Sequence, residues 1–206
     1  MKRTLTVIVA ALFAAVALFA QTPEEIIARM DQEVDRFDAE GFSMVMEIKL
    51  PLLGTFSSTI RMLGDKCKSY IDAKGEVAIT WWDADTKWEY EASKNEITIT
   101  PTQEDSDAEK NVKSLSGVTE GYDVKLTKET ADAWYFRCTK SKSNPKKDDP
   151  KKMDLVVSKT TYLPISNSIS EKGVKVTLRD FVLGVSEEEV TFNPADYPNA
   201  TIIDKR

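Results

Sequence analysis

From residue 42 to residue 99 the chain keeps returning a large apolar side chain to every second position, and that period of two admits few folds. Phe42, Met44, Met46, Ile48 and Leu50 form the first such stripe, with Ser43, Glu47 and Lys49 between them. After a turn at 51–54, Phe56, Ser58, Ile60 and Met62 repeat it. Val77, Ile79 and Trp81 make a third stripe, Trp88 with Tyr90 a fourth, and Ile97 with Ile99 a fifth. Successive side chains of a strand point to opposite sheet faces, so a run of this kind buries one face and leaves the other to water. Gly64-Asp65, Lys74-Gly75 and Ser93-Lys94-Asn95 part the runs as turns, which predicts an antiparallel meander. Further strands are expected at 122–126, 134–139, 153–159, 163–170 and 174–181, with a last short one at Val190-Thr191-Phe192. A sheet of that many strands curls or closes instead of staying flat.

One helix is expected ahead of the strands. Thr22-Pro23-Glu24-Glu25 supplies a cap, a proline at the first helical position and a glutamate that reaches back to the cap. Ile26, Ile27, Met30, Val34 and Phe37 then recur at helical spacing, and Gly41 stops the run. This stripe has to lie on something apolar. The stretch 102–121 breaks the rhythm: it is polar, with Val112, Leu115 and Val118 alone to bury, and is either a loop or a short helix around 108–112. Asn144 to Lys152 carries two prolines among charged residues and reads as a solvated hairpin loop.

Residues 1–20 have the form of an export signal, with Lys2 and Arg3 ahead of an apolar run to Phe19 and a cut expected after Ala20. The mature chain 21–206 is then expected to be a single periplasmic domain. Its balance is 26 basic against 34 acidic residues, a net of −8, because Lys2 and Arg3 leave with the signal. The two signs are interspersed, which argues against nucleic-acid binding. Cys67 and Cys138 both fall in strand-like segments; an oxidising compartment permits a bridge, and two buried thiols fit equally well.

The chain has no histidine. That removes the usual triads and most zinc sites. Ser143-Asn144-Pro145-Lys146 has Ser-x-x-Lys spacing but lies in a lysine-rich loop without companion motifs. Asp148-Asp149 and Glu187-Glu188-Glu189 lack calcium-loop spacing, and Asn199-Ala200-Thr201 is a glycosylation sequon, a short and noisy pattern. Nothing points to a cofactor or a metal, and the expectation is a protein that is not an enzyme. An enzyme working through carboxylates alone would need a facing pair, and no spacing suggests one.

Three stretches resemble the outer-membrane lipoprotein carrier family, the LolA-like proteins. The first runs from Trp82-Asp83-Ala84-Asp85-Thr86-Lys87-Trp88-Glu89-Tyr90 into Asn95-Glu96-Ile97-Thr98-Ile99, similar to the family's aspartate-led turn, aromatic strand and short polar–aliphatic strand. The second is Leu163-Pro164-Ile165 with the strand up to Leu178-Arg179-Asp180-Phe181. The third is Val190-Thr191-Phe192-Asn193-Pro194-Ala195-Asp196-Tyr197-Pro198, ending in Ile202-Ile203-Asp204-Lys205-Arg206. With the helix, the resemblance covers nearly all of the mature chain. It departs from the family at Gly64-Asp65, where well-studied carriers have an Arg-Pro pair, and in 102–121, which is less apolar than the family's lid.

The resemblance implies a mainly β fold with helices: a curved antiparallel sheet forming an incomplete β-barrel, capped by the N-terminal amphipathic helix. It implies a monomeric carrier that takes lipoprotein acyl chains, or related lipid, from an inner-membrane transporter to an outer-membrane acceptor. On that reading Phe42, Met44, Met46, Ile48, Phe56, Ile60, Met62, Ile79, Trp81, Trp88 and Tyr90 form one inward, lipid-binding stripe. Ile26, Ile27, Met30 and Val34 cover its mouth as a lid. Methionine suits such a surface because it adapts to varied partners, and each buried CH₂ contributes about 0.8 kcal/mol. The alternative is a sensor or partner-binding module of the same fold, its interior packed shut.

Overall fold

The computed structural model describes residues 21–73, 75–102 and 117–206. The expected export signal and the short helix expected at 108–112 lie outside the described residues. No helix among the described residues is long and apolar enough to cross a membrane.

Thr22 caps helix α1 (Pro23–Val34) through the expected box: the Glu25 N–H donates to Thr22 Oγ1 at 3.2 Å, and the Thr22 N–H to Glu25 Oε2 at 2.9 Å. The stripe does not continue as one helix to Phe37. The chain turns at Asp35-Arg36 and resumes as α2 (Phe37–Glu40), with Arg36 bonded to Glu33 and Glu40 on either side of the break. Phe37 stays buried and stacks on Phe42, ring centroids 4.4 Å apart. Gly41 ends α2 at φ 69°, and a Cβ there would stand 2.8 Å from the Met62 carbonyl oxygen, so no larger residue fits without moving the backbone.

Twelve strands follow in one sheet: β1 (Phe42–Leu50), β2 (Gly54–Leu63), β3 (Lys66–Ala73), β4 (Glu76–Trp82), β5 (Thr86–Glu91), β6 (Glu96–Pro101), β7 (Tyr122–Glu129), β8 (Ala133–Lys140), β9 (Lys152–Ser158), β10 (Pro164–Glu171), β11 (Val174–Leu183) and β12 (Thr201–Asp204). Their spatial order is β12-β6-β5-β4-β3-β2-β1-β11-β10-β9-β8-β7. The two ends do not pair, so the sheet curves without closing into a barrel. Every pairing is antiparallel except that of β12, which runs parallel to β6 with Ile202 opposite Ile97.

The strand pattern differs from expectation at three places, the last being β12, which lies in a tail expected to be irregular. Lys66–Ala73 is a full strand although no apolar stripe marks it. Val190-Thr191-Phe192 is not a strand: Ser186 and Glu189 form a capping box that starts a helical turn, α3 (Glu187–Val190). A 3₁₀ turn (Pro194–Asp196) then leads to β12.

The main core lies between α1 and one face of the sheet. Ile26, Ile27, Met30 and Val34 pack there with Met44, Ile60, Phe136, Leu155 and Val157. Each such side chain contributes roughly 1.5–3 kcal/mol on leaving water. Cys67 on β3 and Cys138 on β8 are fully buried in this core and are not bridged.

Candidate functional site

The sheet changes its apolar face partway across. Residues opposite one another in a ladder share a face. Phe42, Met44, Met46 and Ile48 pair with Met62, Ile60, Ser58 and Phe56, and all look toward the α1 side. Met62 pairs with Cys67, and Cys67 with Trp82. On β4 it is therefore Trp82, Thr80 and Ala78 that share the helix-bearing face. Trp81 and Ile79 point the other way, opposite Lys68 and Tyr70. Trp88 and Tyr90 follow them, since they pair with Trp81 and Ile79.

The expected single stripe is thus two stripes on opposite faces. Phe42, Met44, Met46, Ile48, Phe56, Ile60 and Met62 form one. Ile79, Trp81, Trp88 and Tyr90 form the other, joined by Ile97 and Ile99. The grouping failed at β3, a strand without an apolar stripe, whose two-residue turns on either side fix the parity of everything beyond it. Those turns, Gly64-Asp65 and Lys74-Gly75, were visible in the sequence. Read as two-residue hairpins they carry the face from Met62 to Cys67 and on to Trp82.

The second stripe is covered by the chain's own tail. Phe192 meets Trp81 edge-on at 5.4 Å and stacks on Trp88 at 5.6 Å; Tyr197 lies 5.6 Å from Trp81 and 4.6 Å from Tyr90. The Lys68 ammonium stands 5.2 Å above the Trp81 ring, and burial lowers its pKa. Burial likewise raises the pKa of the Tyr197 phenol. Ion pairs of α3 with the same face, Arg61 to Glu189 at 3.6 Å and Lys66 to Glu187, tie the tail down. The Ser186 backbone N–H and hydroxyl bond the Glu189 carboxylate and hold its pKa below the usual range. Trp81, Ile97 and Ile99 are buried under this tail and Ile79, Trp88 and Tyr90 half-buried, so this side forms a second, aromatic core.

The helix-bearing face is uneven. Under α1, Met44, Ile60, Phe136, Leu155 and Val157 are shut away. Toward the far ends of β1–β3 and β11 the cover stops. Met46 and Ile48 are half-buried, Phe56 is 40% exposed and Ile71 is 38% exposed. Leu178 and Val176 lie beside Met46 and Ile48 on β11 and are half-buried as well. These six side chains form an apolar floor that is open among the described residues.

Two polar groups flank this floor. Ser58 is buried beside Met46 and shares a hydrogen bond with Ser69, oxygens 2.8 Å apart. Asn167, opposite Leu178, is 6% exposed, and its Oδ1 accepts no hydrogen bond among the described residues. An orphaned buried acceptor carries a real cost, which a ligand N–H or O–H reaching it would relieve. Ile71, Val176, Leu178 and Asn167 were not expected at the site. The alternation of Val174, Val176 and Leu178 was legible, whereas Ile71 lies on the unmarked strand.

No protein-family model matches the chain, and no curated protein sequence matches it. Solved structures do. An uncharacterized conserved protein from Thermus thermophilus superposes with a TM-score of 0.50 at 14% identity, covering 90% of this chain and 100% of that one. A LolA superfamily protein from Nitrosomonas europaea gives 0.37 at 12% identity, covering 85% and 100%. The MucA/MucB complex of Pseudomonas aeruginosa gives 0.44 at 13% identity, covering 82% of this chain and 60% of that one. One amphipathic helix laid on a long curved sheet that does not close is the fold this chain shares with the Thermus thermophilus protein.

Proposed function

We propose that this protein binds acyl chains of lipoproteins or related lipids on the open floor of its helix-bearing face and carries them through the periplasm toward the outer membrane. The observation that supports this reading is the floor itself: Met46, Ile48, Phe56, Ile71, Val176 and Leu178 share one face at the end that α1 leaves uncovered. An acyl chain laid there gains about 0.8 kcal/mol per buried CH₂, enough for reversible carriage with no covalent step. The Asn167 oxygen at its border suits an amide N–H or hydroxyl near the head of an acylated ligand. A transporter in the inner membrane and an acceptor at the outer membrane complete this reading. Ile26, Ile27, Met30 and Val34 act in it as a cover over the closed half, and Ile79, Trp81, Trp88 and Tyr90 have no part in binding.

One observation favours the rival reading of a partner-binding module. Phe42, Met44, Ile60 and Met62, more than half of the stripe on this face, are packed shut against α1 and α2. Native mass spectrometry of the mature protein from its envelope fraction, with lipid extraction, separates the two. The carrier reading expects acylated species that disappear in Phe56→Glu and Met46→Glu. A clean apo mass with no uptake of added lipoprotein or phospholipid overturns it in favour of the partner-binding module.

A further inference from the structure

The β1–β2 hairpin ends in two leucines that none of the described residues covers. Leu52 is fully exposed and Leu53 is 67% exposed, the most exposed large apolar residues of the described chain. Leu52 also sits at φ 67°, a left-handed backbone that a branched apolar side chain adopts at a cost. Asparagine or glycine would serve this turn better in water. The sequence thus keeps at this tip a residue that is unfavourable for both its exposure and its backbone.

The neighbouring tip is basic. The β10–β11 hairpin turns through Lys172 and Gly173, both at positive φ, and a Cβ on Gly173 would lie 3.1 Å from Pro51, so the two tips touch. Lys49 and Lys175 stand opposite one another where β1 meets β11, like charges that repel across the ladder. Lys49, Lys172 and Lys175 are exposed and make no ion pair among the described residues. Of the carboxylates near them in sequence, Glu47 is already paired with Arg179 at 3.6 Å and Glu171 adjoins Lys172, so three lysines surround the apolar tip. The open floor runs out to the same end, from Met46 through Ile48 to Leu50.

We infer that the paired tips dock on an anionic lipid bilayer, with Leu52 and Leu53 entering the interface and Lys49, Lys172 and Lys175 meeting the headgroup phosphates. The exposed lysines around the two leucines are what favour an anionic lipid surface as the occupant, and a second copy of the chain is an outcome of the test. Each leucine moved into the interface strengthens partition about tenfold, and each lysine about fivefold at low salt. Docking needs nothing from Phe56 or Asn167, so it holds whether or not the floor carries a chain.

The test is co-sedimentation of the mature protein with phosphatidylcholine vesicles, with and without phosphatidylglycerol. The expected result is binding that is at least tenfold stronger with phosphatidylglycerol and weakens as salt rises. Leu52→Asn with Leu53→Ser should lower partition at least tenfold while keeping or raising the melting temperature, which excludes unfolding as the cause. Gln at positions 49, 172 and 175 should remove the salt dependence. Met46→Glu should bind vesicles like the parent, which separates docking from acyl binding. Equal sedimentation of the parent and the leucine variant overturns the inference. So does a parent dimer in light scattering that the leucine variant dissolves with no change on vesicles.

Discussion

Across β1–β5 the two faces of the sheet offer similar apolar material and meet opposite ends. On one, Trp81 and its neighbours are roofed by Phe192 and Tyr197 from the chain's own tail. On the other, Ile48, Phe56 and Ile71 have no roof among the described residues. Side-chain chemistry does not distinguish them, and if anything the roofed stripe is the greasier. What differs is whether a second element reaches across. An apolar strand face is a core where the chain returns to cover it, and a binding surface where it does not.

The largest effect should come from breaking the roofed side. Trp81→Ala removes a buried indole that touches Phe192, Tyr197 and Lys68, and is expected to cost about 3–5 kcal/mol in urea denaturation. Acyl binding by the folded fraction should not change. If it is lost specifically, the two faces are not independent.

Phe56→Glu sharpens the same contrast from the open side. With 40% of the ring already exposed, stability should change by less than about 1 kcal/mol. Uptake of a fluorescent fatty acid should fall tenfold or more. A variant that unfolds would show that the floor is core after all.

The cysteines report on the closed half. Burial raises the Cys138 thiol to a pKa of about 11, so the reactive thiolate is scarce at pH 8. Native protein should react with a disulfide reagent at least a hundredfold more slowly than unfolded protein, and two thiols should then titrate.

The smallest effect is expected at Asp31 on α1. Burial raises its pKa, against the Gly117 N–H, which favours the carboxylate, and its Oδ1 accepts no hydrogen bond among the described residues. A raised folded-state pKa means that ionising the group weakens the fold, so the penalty is full above the raised value and vanishes below the ordinary carboxylate range. Asp31→Asn should raise the melting temperature slightly at pH 7 and match the parent near pH 3.

The fold class was legible because alternation is strong in β1 and β2, and the caps of α1 are spelled out in Thr22-Pro23-Glu24-Glu25. The break after Val34 was not, since Phe37 keeps helical spacing across it and stays buried. The site was legible only in part. Phe56 and Ile48 stand on strands whose own pattern marks the face. The face of Trp81 depends on counting through Lys66–Ala73, where Lys68, Tyr70 and Asp72 make the outward positions as prominent as Cys67, Ser69 and Ile71. In the tail, Ser186 and Glu189 carried the helix signal, and the β-branched Val190-Thr191 drew attention from it.

The parallel pairing of β12 with β6 also has a consequence in time. The Asn95 side chain bonds the Asn199 carbonyl across a separation of 104 residues, and the second edge of β6 gains its partner only when that distant segment arrives. Long-range contacts of this kind form late, because closing the intervening chain costs entropy before any contact rewards it. Until then the β6 edge presents unpaired backbone groups beside Ile97 and Ile99, a template on which another unfinished molecule can pair. The same tail that roofs the aromatic stripe therefore also covers the β6 edge and leaves at that end only the four-residue β12.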